Sequence, residues 1–213
     1  MTGSGVRGPG KTKPGTRTPE PEPGTRRVTD LGCGFGLVSQ FIAKRYGCPV
    51  LGVDASPSRI AVARQASACL EAVKFAHSDI AQFDLPPSQM ALLIDLLGFF
   101  SDAAQRQLLR RCREALCPDG LLIVKDTTTV PRWKYHYANF EETLKFRLNV
   151  YGLKTRRRPN YHALTDWRAL LQAAGFEVCE ENLIAAIAPY PGVIYVCRRR
   201  RQEWANTGIG ELE

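Results

Sequence analysis

Three acids and three glycines in the first half of the chain are spaced so that together they could hold a nucleoside. The run Val28-Thr-Asp30-Leu-Gly32-Cys-Gly34-Phe-Gly36 leads from an apolar segment into a glycine-rich loop, with an acid two residues before the first glycine. Glycines there let the backbone take positive φ and let a ligand approach closely. Asp54 closes a second apolar run, where a carboxylate is placed to accept both ribose hydroxyls of a nucleoside. Asp79 with Ile80 follows a third such run. A dinucleotide site would need its third glycine at position 37, which is Leu37, and the phosphate loop GxxxxGK[ST] does not occur.

These residues need a scaffold that brings strand ends together. Val28–Leu31 reads as a short strand, Leu37–Tyr46 as a helix and Pro49–Asp54 as a buried parallel strand. Ser56 caps and Pro57 opens a helix running to about Cys69. Val73–His77 and Met90–Leu97 are further strands. Ser101–Leu116 is a helix with an N-cap serine and a basic outer face. Pro118–Gly120 turns into a fifth strand, Leu121–Lys125. Residues 126–163 are rich in aromatic and basic side chains and should cover the sheet edge. Leu164–Ala174 is a helix ended by Gly175, and Phe176–Ile187 and Val193–Cys197 form a last antiparallel pair. This alternation predicts an α/β fold, a Rossmann-like, doubly wound, mostly parallel seven-stranded sheet with an antiparallel last strand.

On these residues the chain resembles the class I S-adenosylmethionine (SAM)-dependent methyltransferase family, over about Val28 to Cys197. The DxGCGxG form at Asp30–Gly36 carries the likeness. Gly52-Val-Asp54, His77-Ser-Asp79-Ile80, Ile94-Asp95-Leu-Leu-Gly98 and Pro118-Asp-Gly-Leu-Leu-Ile-Val124 agree in order. The resemblance implies SAM as cofactor. Asp30, Gly32, Gly34 and Gly36 would hold its methionine end, with Asp30 facing the ammonium. Cys33 would share the loop as a small filler rather than a nucleophile. Asp54 and the adjacent Ala55 would hold the ribose, and Asp79 with Ile80 the adenine. Asp95 would lie below the methionine moiety.

The methyl acceptor is less legible. The family's Asn-Pro-Pro-Tyr and Asp-Pro-Pro-Tyr elements are replaced here by Asp95-Leu-Leu-Gly98, which resembles the small-molecule branch. In the run Lys125 to Glu142, aromatic residues could line an acceptor pocket, with His136 and Tyr137 as catalytic candidates toward a hydroxyl. The leading reading is methyl transfer to a small, partly apolar acceptor, carrier-bound or lipid-like, at a hydroxyl. RNA or protein methylation and a weakly catalytic SAM-fold binding module are the alternatives. The family's usual helices before the first strand have no counterpart in residues 1–27, so either the 126–163 insertion supplies the lid or part of the usual cover over SAM is lacking.

Composition sets the outer bounds. The chain has 213 residues, fitting one domain at 28–197 between a low-complexity tail at 1–27 and a basic tail at 198–213. The net charge is +8, of which residues 1–27 carry +4 and residues 198–213 carry +1. Charge concentrated in tails weakens a nucleic-acid reading without excluding it. Lys154–Arg158 and Arg198–Arg201 read as solvated basic runs. Seven scattered cysteines, an odd number with no CxxC pair, predict neither a metal site nor a disulfide framework, and place the chain in the reducing cytoplasm. No apolar run is long enough to cross a bilayer, and the N-terminus lacks the apolar stretch of a secretory signal.

Overall fold

A computed structural model of the chain describes residues 27–148, 159–184 and 190–200. Seven strands form one sheet in the order β3-β2-β1-β4-β5-β7-β6. They are β1 (Val28–Leu31), β2 (Val50–Asp54), β3 (Val73–His77), β4 (Ser88–Ile94), β5 (Leu116–Thr127), β6 (Phe176–Ile184) and β7 (Gly192–Arg199). The first five pair in parallel, and β7 runs antiparallel to both β5 and β6.

Alternation along the strands explains why both faces are covered. Ala91 and Leu93 of β4 face a core shared with Leu108, Leu109, Trp167 and Leu171. Leu92 faces the opposite core, with Ala43, Ile60 and Ala63. Helices α1 (Leu37–Tyr46) and α2 (Pro57–Ala66) therefore lie on one face. Helices α3 (Asp102–Ala115) and α5 (Leu164–Ala173) lie on the other. Helix α4 (Arg132–Arg147) buries little, Ala138 and Lys134 being its buried residues.

Several sequence expectations need correcting. Strand β4 ends at Ile94, because Asp95 takes φ 51° and Leu97–Phe99 coils into a 3-10 turn. Helix α2 stops at Ala66, three residues before Cys69. Strand β5 already begins at Leu116, and Pro118–Gly120 is an irregularity within it: Ser88 pairs with Leu116 while Met90 pairs with Leu121. Ser101 stands at the N-cap of α3, but its hydroxyl makes no capping bond. The face of α3 expected to be basic and solvated is partly tied down. Arg111 donates from Nη1 to the carbonyls of Ile80 and Ala81, and from Nη2 to that of Phe83. Strand β7 extends into the supposed basic tail, where Arg199 donates to the carbonyl of Leu116. The Lys154–Arg158 run, residues 185–187 and most of both tails lie outside the described residues.

Candidate active site

The C-terminal ends of β1, β2, β4 and β5 open onto one cavity of about 790 Å³, within the range of small-molecule sites. Its position follows from the parallel sheet, whose order reverses between β1 and β4.

The glycine loop is shaped by β2. The backbone N–H groups of Gly32 and Cys33 both donate to the carbonyl of Val53, at 2.8 and 3.1 Å. Asp54 then fixes the loop from below. Its Oδ2 accepts from the N–H of Gly34 at 3.0 Å, and its Oδ1 accepts from the N–H of Ser56 at 2.8 Å. An ionised carboxylate has about four acceptor positions. Each oxygen of Asp54 thus keeps capacity for one more donor, as two adjacent hydroxyls would require. Asp54, Ala55 and Gly32 line the cavity.

Asp30 is placed differently from its neighbours. It is buried on the α1 face and accepts from Ser39 Oγ at 2.6 Å. Burial raises its pKa to about 6, opposed by the hydrogen bonds from Ser39. Asp30 is not among the residues that line the cavity. Its carboxylate reaches the loop through the start of α1. Cys33 is half-buried, and burial beside Asp30 and Asp54 pushes its thiol well above the usual range, which suits a filler. Gly34 and Gly36 both take positive φ.

Asp79 and Ile80 line the cavity, with Ile80 buried and Asp79 accepting at Oδ1 from the N–H of Ala81 at 2.9 Å. Asp95 also lines it, paired with Lys125 at 2.6 Å.

Beyond Asp95 the cavity changes character. Phe99, Phe100, Tyr161 and Tyr190 give it aromatic walls, and Glu142 and Lys145 of α4 close one side. Asp126, at the end of β5, lies on this wall and is almost wholly buried. Its Oδ2 accepts from the N–H of Gly98 at 3.0 Å and its Oδ1 from that of Thr127 at 2.7 Å. Burial raises its pKa to about 7 despite both bonds. The 126–163 insertion does reach the site through α4, but His136 and Tyr137 do not line the cavity. His136 is exposed, and Tyr137 is half-exposed against Tyr190 at 6.2 Å. Sequence reasoning did not single out Asp126 within the Lys125 to Glu142 run, because its burial is set by the assembled sheet.

A family profile described as "Methyltransferase domain" matches residues 28–120. N-demethylindolmycin N-methyltransferase of Streptomyces griseus is 30% identical over 179 residues, covering 73% of this chain and 72% of that protein. The chain belongs to the class I SAM-dependent methyltransferase family. Acetylserotonin O-methyltransferase of Mus musculus is 30% identical over 158 residues, which are 71% of this chain but 39% of that enzyme, so the chain spans well under half of that relative's length. The structure of the mitomycin 7-O-methyltransferase MmcR shares the fold, with a TM-score of 0.67 at 18% identity over 83% of this chain and 50% of the other.

The family's cofactor is SAM, and the residues present fit it. Gly32 is the loop glycine that lines the cavity, and a Cβ added to Gly34 would meet no atom within 4 Å. Asp54 keeps spare acceptor capacity, and Ile80 offers a buried apolar surface to a ring. Among the described residues, no cluster of three or more His, Cys, Asp or Glu could hold a metal ion, and no helix is long and apolar enough to cross a membrane.

Proposed function

We propose that the chain methylates a small, partly apolar acceptor at a hydroxyl, with Asp126 taking the proton. The observation that carries this reading is the two-part cavity. Its cofactor end is built by Asp54, Asp79 and Ile80, and its aromatic end carries the buried Asp126. SAM, when bound, supplies an activated methyl group on its sulfonium. The chain's own residues supply alignment and a base. Phe99, Phe100 and Tyr161 offer aromatic surface on which an apolar acceptor can lie. Asp126 is held by two backbone N–H groups, so its orientation is fixed. With a pKa near 7 it is a stronger base than an ordinary carboxylate, yet ionised in mildly alkaline solution. His136 and Tyr137 have no such position in the cavity. Seven cysteines fit a reducing cytoplasm.

An amine acceptor is the second reading. Five acids line the cavity (Asp54, Asp79, Asp95, Asp126 and Glu142) against three cations (Arg59, Lys125 and Lys145), a balance that favours a cationic guest.

The test is incubation of the chain with SAM and a panel of phenols, alcohols, amines, RNA and peptides, read by mass spectrometry. Methylated phenols or alcohols support the first reading, and amines alone support the second. Methylation of RNA or protein with no small-molecule product would overturn both.

A further inference from the structure

Helix α4 carries an apolar stripe that is exposed among the described residues. Trp133, Tyr137, Phe140, Leu144 and Leu148 follow one another at intervals of four, three, four and four residues, the spacing of one helical face. They are between 44% and 69% exposed. Leu148 belongs to the same face because its N–H donates to the carbonyl of Leu144 at 2.9 Å. The buried residues among the helix's described side chains, Lys134 and Ala138, lie on another face than the stripe.

Charge on the helix is divided around the stripe. Arg132, His136 and Arg147 are exposed along one edge. On the other edge, Glu141 is engaged by Tyr190 and by Lys145, the latter at 2.7 Å. The outward arc therefore presents aromatic and aliphatic side chains with cations and no unengaged acid. Exposed aromatic and leucine side chains bordered by arginine suit a lipid–water interface, where apolar side chains insert and guanidinium groups stay at the headgroups.

Other occupants fit less well. Residues 1–26 contain five Lys/Arg, and their only large apolar residues are Met1 and Val6, so they would bring positive charge and little apolar surface to the stripe. A second copy pairing α4 antiparallel about a two-fold axis would set the two Arg132–Arg147 edges side by side, like charge against like. An anionic lipid surface matches both the apolar stripe and its basic edge, and the chain's net charge of +8 has the right sign.

We propose that this face of α4 docks the protein on an anionic lipid bilayer. The stripe is continuous with the cavity, since Tyr137 lies against Tyr190, which lines it. Docking would therefore bring the cavity to the bilayer edge, where an apolar acceptor dissolves. That last step rests on the proposed methyl transfer, whereas the docking stands on the helix surface alone.

The experiment is co-sedimentation of the full chain with vesicles of phosphatidylcholine, with and without phosphatidylglycerol, at low and high salt. The native chain is expected to bind the anionic vesicles, more weakly as salt rises. Trp133→Ser/Phe140→Ser should lower binding about tenfold through lost apolar insertion, with its thermal midpoint unchanged because both side chains are exposed. Arg132→Glu/Arg147→Glu should remove the preference for anionic lipid while keeping the apolar stripe. No vesicle binding by the native chain overturns the proposal. So does equal binding by the Trp133/Phe140 variant, which assigns binding to the tails. So does self-association, seen by sedimentation velocity without lipid binding and abolished in that variant, which gives the face to a second copy. Methyl transfer is not read in this experiment, so its failure leaves the catalytic reading standing.

Discussion

The backbone N–H of Gly98 donates to Oδ2 of Asp126 at 3.0 Å, joining the turn after β4 to the end of β5. The contact is close on every side. A Cβ on Gly98 would fall 2.6 Å from the Tyr161 ring and 3.1 Å from Asp126 Oδ1. Among the described residues, Asp126 is the almost wholly buried carboxylate on the cavity's aromatic end, and it is thereby held in one orientation.

Replacing that carboxylate by its amide tests whether it acts as a base. Asp126→Asn keeps the size of the side chain and one acceptor oxygen. It should lower kcat by roughly 10²–10⁴, the usual contribution of a general base, while SAM affinity measured by calorimetry stays near the native value. The native pH–rate profile should fall on its acid side near pH 7, where Asp126 protonates. An unchanged kcat would remove Asp126 from the chemistry.

The same burial makes a stability prediction. Asp126 rises from 3.8 to about 7 and Asp30 from 3.8 to about 6, so the folded chain holds these protons more tightly than the unfolded chain does. Stability is then greatest below about pH 4 with respect to these two groups, and it declines as pH rises through 6 to 7. Urea unfolding across this window should show the native chain losing stability relative to Asp126→Asn as pH increases. A difference independent of pH would contradict the buried, neutralised carboxyl.

Ser39→Ala probes how Asp30 reaches the cofactor loop. The hydroxyl donates to Asp30 at 2.6 Å within the core, so its loss should cost about 1–3 kcal/mol in urea unfolding. Without that donor the pKa of Asp30 should rise further, and SAM affinity should fall more at low pH than at high pH. Unchanged stability would mean that Asp30 finds another donor.

Two glycines of the loop, Gly34 and Gly36, separate folding from binding. A Cβ at Gly36 would meet the Phe75 ring at 2.3 Å and Ala63 Cβ at 3.1 Å, so Gly36→Ala should strongly destabilise the chain. Gly34→Ala meets open space and carries only the strain of its φ of 56°, about 1–2 kcal/mol. It should still fold, and SAM affinity should drop by an order of magnitude or more where the cofactor lies against this loop. Thermal melts paired with calorimetry would distinguish the two.

The strand-by-strand plan was readable because each signal is local. Apolar runs ending in Gly32 or Asp54, and a serine–proline start at Ser56, declare their elements within a few residues. Boundaries failed where a distant partner decides them. Strand β4 stops at Ile94 because Asp95 adopts positive φ and pairs with Lys125, thirty positions away, and no pattern within Met90–Leu97 announces that contact. The role of Arg111 was hidden likewise, since helical periodicity places it toward solvent while its guanidinium caps the carbonyls of the 80–83 loop.

What the sequence determined by itself was the parallel sheet and the strand ends at one edge of the cavity, because Gly32, Asp54 and Asp79 with Ile80 each close or follow a strand that its own residues specify. What only the tertiary structure decided was the other half of the cavity. Asp126, Tyr161, Tyr190 and the Glu142–Lys145 side of α4 come from four separate segments. They meet in the folded sheet, in which β7 pairs with β5, and the burial that raises the pKa of Asp126 is a property of that assembly rather than of its neighbours in the chain.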